Sequence, residues 1–476
     1  MEWEMIIGLE THVELSTRTK AFCSCSVSFG GLPNSRCCPV CAGLPGALPR
    51  LNGQMVDYTA RLALALGCQI SPVIAFDRKN YFYPDLPKGY QISQFHTPLG
   101  REGTLPIRTE KGEKQIRIAE LHMEEDAGKL IHDRETGLTQ IDLNRCGVPL
   151  VEIVTQPDFR SAQEVLDYLE RLRLICLYLG ISDCKMQEGS LRCDVNLSLR
   201  PKGSSQLGTR TEMKNLGSFR AVARAIYAEA LRQQQILESG GHIRQETRRW
   251  DEDQDRSEPM RPKETAADYR YFPEPDLPPL RLDRKLLERW RWQQPELAHE
   301  KLERYQSRWG LSEEDAQLIS KSRGLADYYE RLVALGTDPR EGANWIRTDL
   351  LRLLKERGEG TEKVPLPPAM LARVISMTKE GRINRGKASQ VLEHCFATGE
   401  DPEDYCRRNG LEQVRDRELI AQTVRQVLTD HPAQTGQYRA GQEKVFAFLV
   451  GRCMRALGGK ADPKLVNELL REMLNS

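Results

Sequence analysis

The chain has 476 residues, of which 29% are charged and 39% hydrophobic, and its net charge is +1. This length predicts roughly two to four domains with cores of their own, and the composition excludes wholesale disorder. A near-zero net charge argues against indiscriminate nucleic-acid binding but allows a local basic patch. The acidic start and its short apolar run predict neither a signal peptide nor a membrane span, so we expect a cytoplasmic protein with reduced thiols and no membrane association.

The first predicted element is a strand over residues 6–15. Every second residue from Ile7 to Leu15 is apolar or threonine, whereas the residues between them include Glu10, His12 and Glu14. Because side chains alternate across a strand, one face can enter a core while the other presents two carboxylates and an imidazole. We therefore predict a metal-binding edge on this strand.

Two closely spaced cysteine pairs follow, Cys23 with Cys25 and Cys38 with Cys41. Four soft thiolate ligands at this separation suit a tetrahedral zinc ion whose coordination sphere is closed by protein, which is a structural rather than a catalytic site. Cys37 is an alternative ligand. The competing interpretation is a set of free, buried cysteines.

Residues 76–94 combine aromatic and cationic side chains, with prolines that interrupt regular structure. Aromatic rings such as Tyr81 and Tyr83 next to Lys79 are typical of a segment that stacks a base and binds phosphate. A packed junction between a strand and a loop would have the same composition. The nearness of the acidic strand favours a nucleotide or acceptor-end site.

Carboxylates recur in the next strand-like segments. Residues 116–128 end in Glu124, Glu125 and Asp126, and Glu152 lies in the middle of an otherwise apolar strand. A buried lone carboxylate is costly unless a cation or hydrogen bonds compensate it. The compensating group is a metal ion or, alternatively, an arginine such as Arg145.

A capping box at Ser161 predicts a helix that ends at Gly180, and two further strands follow it. Separate strands thereby present one polar face each, with Glu10, His12, Glu125, Glu152, Asp194 and Glu212 on these faces and Lys214 beside the last of them. Oxygen ligands with a single histidine suit Mg²⁺, which commonly bridges phosphates. We predict a phosphoryl-transfer site, with a solvated polar sheet face as the alternative.

The rest of the chain changes character. Residues 248–282 are charged and then proline-rich, which is typical of an extended segment that closes a first domain near residue 292, and helical patterns follow. Residues 381–388 nearly match a phosphate-binding P-loop but lack its final Ser/Thr and its preceding strand, so we predict a turn. Residues 431–464 form a basic patch that suits an RNA-backbone contact, with a solvated helix face as the alternative. Its cations include Arg439, Lys444, Arg452, Arg455 and Lys460.

Several long, irregular motifs resemble those of the B subunits of bacterial glutamyl/aspartyl-tRNA amidotransferases, and the resemblance runs the whole length of the chain. Only the segments around Trp345 and Gly381 depart from the family pattern. The motifs that carry the resemblance are IGLETHVEL, CPVCAGLPGALPRLN, FDRKNYFYPDLPKGYQISQ, LHMEEDAGKL, KMQEGSLRCDVNLSLR and DYRYFPEPDLPPL.

The resemblance implies an α+β protein: an antiparallel-sheet cradle domain with a zinc knuckle (1–292), an all-α helical domain (293–405) and a small α-helical tRNA-binding tail (406–476). It implies a heterotrimer with an amidase-type A subunit, which is the glutaminase, and a small C subunit. The activity would be that of a glutamine-hydrolysing ligase. With ATP and Mg²⁺, it phosphorylates the side-chain carboxylate of glutamate on tRNA(Gln) or aspartate on tRNA(Asn), and tunnelled ammonia then displaces the phosphate.

The resemblance also implies roles for individual residues. His12, Glu125 and Glu152 would hold Mg²⁺, and a second metal or the ammonia route would use Glu10, Glu124, Asp194 and Glu212. The nucleotide would contact Lys79, Tyr81, Tyr83 and Lys214, zinc would take Cys23, Cys25, Cys38 and Cys41, and tRNA would contact Arg439, Lys444, Arg452, Arg455 and Lys460. Two competing hypotheses remain: a non-catalytic zinc-containing RNA-binding module, and a free-standing metal-dependent carboxylate kinase acting on a small molecule.

Overall fold

A computed structural model of the chain describes residues 2–110, 112–133, 135–262, 266–412, 416–458 and 461–475. The chain divides into two compact units, Met1–Leu297 and Ala298–Ser476. The first unit is built on β-strands with a few helices, and the second is helical. The predicted α+β class is therefore confirmed in its coarse form, with a large, mainly antiparallel sheet and a helical C-terminal region.

The strands all lie in the first unit. In chain order they are β1 (Trp3–Glu14), β2 (Gln69–Ile70), β3 (Val73–Ile74), β4 (Asp77–Asn80), β5 (Tyr90–Ser93), β6 (Gly100–Thr109), β7 (Gly112–Glu125), β8 (Lys129–His132), β9 (Thr139–Asp142), β10 (Pro149–Thr155), β11 (Leu191–Pro201), β12 (Thr211–Lys214), β13 (Glu246–Asp251), β14 (Arg256–Pro262), β15 (Phe272–Pro273) and β16 (Leu280–Arg281).

Nine of these strands form one sheet in the order β14-β13-β12-β11-β1-β10-β7-β6-β2. Neighbouring strands are antiparallel except β12 and β13, which run parallel. The first strand of the chain therefore lies at the centre, between two strands that follow it by more than a hundred residues. Its predicted alternation is confirmed, because Ile7, Leu9 and Val13 are buried in the core while Glu10 and His12 remain partly exposed on the other face.

The helices are α1 (Gly53–Ala65), α2 (Ala162–Leu179), α3 (Phe219–Glu238), α4 (Ala266–Tyr269), α5 (Arg284–Trp292), α6 (Ala298–Trp309), α7 (Glu313–Ser320), α8 (Arg323–Ala334), α9 (Pro339–Trp345), α10 (Leu351–Glu356), α11 (Pro368–Lys379), α12 (Arg385–Thr398), α13 (Pro402–Arg408), α14 (Arg417–Asp430), α15 (Pro432–Arg439), α16 (Lys444–Ala456) and α17 (Pro463–Asn475). A 3₁₀ turn covers Met186–Glu188, and a π-helical turn covers Ile346–Leu350. In the described part of the chain, no helix has the length and apolarity that a membrane crossing requires.

The helix ends follow local rules that the sequence contains. Ser161 Oγ accepts a hydrogen bond from Glu164 N at the start of α2, and Gly180 ends that helix with a φ of 67°. A left-handed backbone at this position favours glycine because glycine has no Cβ. Residues 381–384 form the predicted turn, since α11 ends at Lys379 and α12 begins at Arg385.

Residues 266–282, which we call the strap, return to the first hundred residues of the same unit. Within the strap, β15 pairs with β4, so that Phe272 lies opposite Arg78. The Arg78 guanidinium donates to both carboxylate oxygens of Glu274, at 2.7 and 3.0 Å, in a forked geometry. Such forked pairs are the stronger and more directional kind of ion pair, and this one fixes the strap over the segment that contains Lys79.

In the second unit, the two segments that depart from the family pattern contact each other. The Arg385 guanidinium lies 3.2 Å from the centre of the Trp345 ring, and Ser389 Oγ donates to Asp349 at 2.7 Å. Arg385 also pairs with Asp349, which lies in the π-helical turn. Further along, buried residues between Ile420 and Leu474 form a hydrophobic cluster.

Candidate active site

The polar face of the sheet brings together side chains from five adjacent strands. In the register of β1, His12 lies opposite Glu152 of β10, and Glu10 lies opposite Asp194 of β11. Because paired residues on one face lie close together, this register alone places acidic and imidazole groups within contact distance. Two clusters result, one around His12 and one around Glu10.

The first cluster consists of His12, Glu124 and Glu152. His12 Nε2 lies 3.5 Å from a carboxylate oxygen of each glutamate, and one ligand atom from each residue falls within 4.8 Å of the others. Two carboxylates and one imidazole at this spacing fit a hard divalent cation such as Mg²⁺. The types and spacing of these three side chains are therefore compatible with Mg²⁺, the metal predicted from the sequence.

Burial and neighbouring charges shift the pKa values of all three residues in this cluster. Burial, followed by the charge of Glu152, raises the pKa of Glu124. Burial also favours a neutral Glu152, but the imidazoles of His12 and His122 outweigh it and hold the pKa of Glu152 well below its usual range. The pKa of His12 is raised, because the carboxylates overcome the opposing effect of burial. The Glu152 carboxylate is thus held in its charged form.

Glu125 does not join this cluster, which differs from the predicted set of His12, Glu125 and Glu152. Consecutive residues of a strand point to opposite faces, so Glu124 shares a face with His12 while Glu125 faces away. The Glu125 carboxylate instead pairs with Lys88 and accepts a hydrogen bond from Ile92 N at 3.0 Å. In the structure, Glu124 rather than Glu125 lies beside His12 and Glu152.

The second cluster consists of Glu10, Asp194 and Glu212, whose carboxylates also lie within 4.8 Å of one another. Lys214 Nζ lies 2.5 Å from Asp194 and 3.5 Å from Glu212. Burial lowers the pKa of Lys214, but Asp194 and Glu212 more than reverse this and raise it. This cluster therefore already contains one cation.

His122 is a functional candidate that the sequence reasoning missed. Its Nε2 lies 3.2 Å from Glu152, and its Nδ1 lies 3.5 Å from Glu120. Burial lowers the pKa of His122, but Glu152 and Glu120 overcome this and raise it to about 10. The sequence contained one indication of this role: Glu120, His122 and Glu124 are spaced two residues apart and therefore lie on the same face of β7.

Lys79 lies close enough to Glu124 and Glu152 of the first cluster to interact with them electrostatically. Its Nζ lies 4.8 Å from the centre of the Tyr269 ring. Burial lowers the pKa of Lys79, but the charges of Glu124 and Glu152 outweigh burial and raise it. Tyr269 belongs to the strap, and no local feature of the sequence indicates that it would reach Lys79.

Aromatic side chains of residues 81–95 and of the strap contact one another, and Tyr269 links them to Lys79. Tyr81 contacts both Tyr83 and Tyr269 edge to face, at centroid distances of 6.1 Å, and Tyr271 stacks on Phe95 at 4.3 Å. Four aromatic rings of these two segments are exposed: Phe82 at 78%, Tyr83 at 46%, Phe272 at 43% and Phe95 at 42%. We call these four the aromatic surface.

The cysteine cluster forms as the spacing predicts. The sulfurs of Cys23, Cys25, Cys38 and Cys41 lie within 4.8 Å of one another, and those of Cys38 and Cys41 are 3.9 Å apart. Tetrahedral zinc thiolates place their sulfurs about 3.8 Å apart, so the donor set fits zinc. A hydrogen bond from the Cys23 thiol is the main cause that lowers the pKa of Cys41 to about 4. Cys37 lies outside this group, with its sulfur 4.0 Å from Asn144 Oδ1.

A family model described as the GatB/GatE catalytic domain matches residues 5–288, and a second, described as the GatB domain, matches residues 327–474. The chain belongs to the GatB family. The first match contains both carboxylate clusters, the cysteine cluster and the strap, and the second contains most of the helical unit.

Curated relatives match this GatB-family chain over nearly its whole length, and they are named as the B subunit of aspartyl/glutamyl-tRNA(Asn/Gln) amidotransferase. The chain is 49% identical to the protein of Lachnoclostridium phytofermentans, with 99% of each chain covered. It is 50% identical to the protein of Caldicellulosiruptor saccharolyticus, covering 100% of this chain and 99% of the relative, and 50% identical to that of Moorella thermoacetica, covering 100% of both. The resemblance predicted from the motifs is confirmed.

The basic residues predicted to contact tRNA differ in their surroundings. Lys444 and Arg455 are exposed on α16, and the Arg452 guanidinium lies 5.1 Å from the centre of the Phe448 ring. Arg439 donates to the backbone carbonyl of Leu474 at 3.2 Å, so it also holds the end of α17. Lys460 lies outside the described residues.

Proposed function

We propose that this GatB-family chain is the B subunit of an aspartyl/glutamyl-tRNA(Asn/Gln) amidotransferase, a ligase of protein biosynthesis. It activates the side-chain carboxylate of glutamate on tRNA(Gln), or of aspartate on tRNA(Asn), and converts it to the amide. The observation that carries the proposal is the cluster of His12, Glu124 and Glu152 with Lys79 beside it, inside the region that matches the catalytic-domain family. The names of the relatives supply the substrates.

The chemistry has two balanced steps. A carboxylate oxygen of the aminoacyl group attacks the γ-phosphorus of ATP, so that an acyl phosphate forms and ADP leaves. Ammonia then attacks the acyl carbon, and inorganic phosphate leaves with the electrons of the broken C–O bond as the nitrogen loses a proton. Activation is required because a free carboxylate is a poor acyl donor. Neither step uses a protein nucleophile, so positioning and charge neutralisation supply the catalysis.

The residues of the first cluster divide this work. His12, Glu124 and Glu152 would hold Mg²⁺, which when bound neutralises charge on the phosphates. Lys79 binds a phosphate oxygen with its ammonium group, which the neighbouring carboxylates keep protonated. The strap covers Lys79 with Tyr269 and limits the access of water, which protects the acyl phosphate from hydrolysis.

We assign the cluster of Glu10, Asp194 and Glu212 to a second metal ion or to the ammonia route, with Lys214 beside the nucleotide. The carboxylates suit either cationic species, since ammonium and Mg²⁺ both favour oxygen partners. Glu125, paired with Lys88 on the opposite face, belongs to the surroundings of the site rather than to its metal ligands. The four cysteines hold structural zinc.

The remaining parts of the proposal concern assembly. An amidase-type A subunit supplies ammonia from glutamine, a small C subunit completes the heterotrimer, and the enzyme works in the cytoplasm. The chain comprises a cradle domain (1–292), a helical domain (293–405) and a tail (406–476) whose exposed Lys444 and Arg455 contact the tRNA backbone. The hydrophobic cluster between Ile420 and Leu474 supports the last division.

The decisive experiment uses the chain co-expressed with its A and C partners. Glu-tRNA(Gln), ammonium, Mg²⁺ and ATP labelled in its γ-phosphoryl group are supplied, and both phosphate release and Gln-tRNA(Gln) are measured. Amide formation that requires all four components is the expected result, and Asp-tRNA(Asn) in place of Glu-tRNA(Gln) tests the second substrate. ATP cleavage that is indifferent to charged tRNA would instead establish a small-molecule kinase, and tRNA binding without any cleavage would establish an RNA-binding module.

We expect the aromatic surface to bind the unpaired 3′ end of the tRNA. Stacking of a base on an exposed ring contributes about 1–3 kcal/mol, so Phe82→Ala should raise the KM for Glu-tRNA(Gln) about tenfold while kcat changes little. Tyr227→Ala is the matched control, because Tyr227 is 58% exposed on α3 of the same unit. An increase in the KM for ATP with an unchanged KM for tRNA would assign the rings to adenine of the nucleotide instead.

A further inference from the structure

Lys20 is the most deeply buried of the described lysines in the first unit, and it lies beside the cysteine cluster. Its side chain is 0% exposed. The Nζ atom donates to the backbone carbonyl of Leu143 at 3.1 Å and lies 3.5 Å from Cys41 Sγ. The catalytic proposal makes no use of this ammonium group.

A buried ammonium group needs an anion, because transfer of a charge out of water costs several kcal/mol when it is unpaired. Other buried lysines have a carboxylate partner, as Lys301 does in Glu330 at 2.5 Å and Lys88 in Glu125. Within the part of the chain that the structure describes, no carboxylate oxygen lies within 4.0 Å of Lys20 Nζ. The sulfur of Cys41 is therefore the anion available to Lys20.

We propose that Lys20 is the fixed counter-charge of the four-cysteine metal centre. A zinc ion with four thiolate ligands carries a net negative charge, and a permanent cation in the same low-dielectric surroundings stabilises that state. The inference rests on the zinc site proposed above and adds to it a residue outside the coordination sphere. Lys20 thereby raises the affinity of the site for the metal.

The surroundings of Lys20 support a role specific to the metal centre. Cys146 Sγ donates to Cys41 O at 3.2 Å, and Ala21 N donates to Gly147 O at 2.8 Å. These contacts pack the loop at residues 143–148 against the cysteine cluster and keep water from the ammonium group. In such a dry site the attraction between the cation and the thiolates is only weakly screened.

The test replaces Lys20 by methionine, which keeps the length of the side chain and removes its charge. Zinc affinity of the full chain is measured by competition with a coloured chelator, and thermal stability is measured with zinc and after its removal. Residues that support a metal from outside its coordination sphere typically change affinity by 10–100-fold, so Lys20→Met should weaken zinc binding about tenfold or more. The loss of stability in Lys20→Met should be larger with zinc bound than after its removal, because the ammonium group faces four thiolates in the loaded site and only Cys41 in the zinc-free one.

The exposed Lys129→Met on β8 is the matched control, and its zinc affinity should equal that of the parent. An unchanged affinity in Lys20→Met, or an equal loss of stability with and without zinc, would overturn the inference and leave Lys20 a packing residue. If Lys20→Met is insoluble, Lys20→Arg decides: a soluble, zinc-loaded protein supports the counter-charge, and an insoluble or zinc-free one rejects it. A parent that binds no zinc would refute the zinc site itself, independently of the amidotransferase assay.

Discussion

Replacing Glu124 by glutamine is expected to lower the rate of ATP-dependent amide formation about 10²–10³-fold, which is the cost of losing one main source of transition-state charge stabilisation. The Glu124 carboxylate lies 3.5 Å from His12 Nε2 and is almost fully buried. An amide of the same shape keeps the packing but removes the negative charge that a divalent cation requires. The rate is measured with the assembled enzyme and Glu-tRNA(Gln), and Mn²⁺ binding is measured by the loss of its free electron-paramagnetic-resonance signal.

Glu125→Gln provides the matched comparison, because the two residues are adjacent in sequence but lie on opposite faces of β7. Its side chain pairs with Lys88 and not with His12, so Glu125→Gln should bind Mn²⁺ with the affinity of the parent. Equal losses of Mn²⁺ affinity in the two variants would contradict the assignment of Glu124 as the ligand. A loss confined to Glu125→Gln would restore the assignment that the motif alone suggested.

The largest effect on stability is expected at Glu229, whose side chain is 0% exposed on α3. It accepts hydrogen bonds from Thr211 at 2.7 Å, from Gln233 at 2.9 Å and from Arg232 in a fork. Loss of one partner from a buried ionic network costs about 3–5 kcal/mol, so Glu229→Ala should destabilise the first unit by that amount. Hydrogen exchange of the β11 and β12 amides measures the change locally.

Glu238→Ala, at the exposed end of the same helix, should leave the exchange rates of β11 and β12 unchanged.

The parent protein should also lose stability in acid, because Glu229 is ionised in the folded state. Burial would raise the pKa of Glu229, but its hydrogen bonds to Arg232 and Gln233 outweigh this and lower the pKa from 4.5. A lowered pKa in the folded state means that the stabilisation is present above pH 4.5 and is lost as the pH falls through the folded-state value. A similar acid profile in Glu229→Ala would refute this account.

The sequence predicted those features that short-range rules determine. The alternation of β1, the capping box of α2 and the paired cysteines each depend on residues a few positions apart. Hydrophobic periodicity and cysteine spacing operate at that range, so the core face of β1 and the cluster of four cysteines could both be identified.

Features that depend on register or on distant contacts could not be predicted in this way. The choice between Glu124 and Glu125 depends on the register of β7 against β10, which decides which of the two shares a face with Glu152. A run of three acidic residues does not reveal that register. His122 was missed for the same reason, although its alternation with Glu124 was available. Tyr269 reaches Lys79 only because the strap pairs with β4 after almost two hundred intervening residues.

The central position of β1 has a consequence for synthesis on the ribosome. Strand β1 is translated well before its partners: Glu10 to Glu14 pair with Leu150 to Val154 of β10, and Trp3 to Val13 pair with β11, which begins at Leu191. Strand β1 therefore remains unpaired, with its apolar face exposed, until most of the first unit has been translated. Contacts at such separation form slowly, and an exposed apolar strand is prone to aggregate in the meantime. Nascent chains of this protein should accordingly depend on chaperones until β11 has left the exit tunnel.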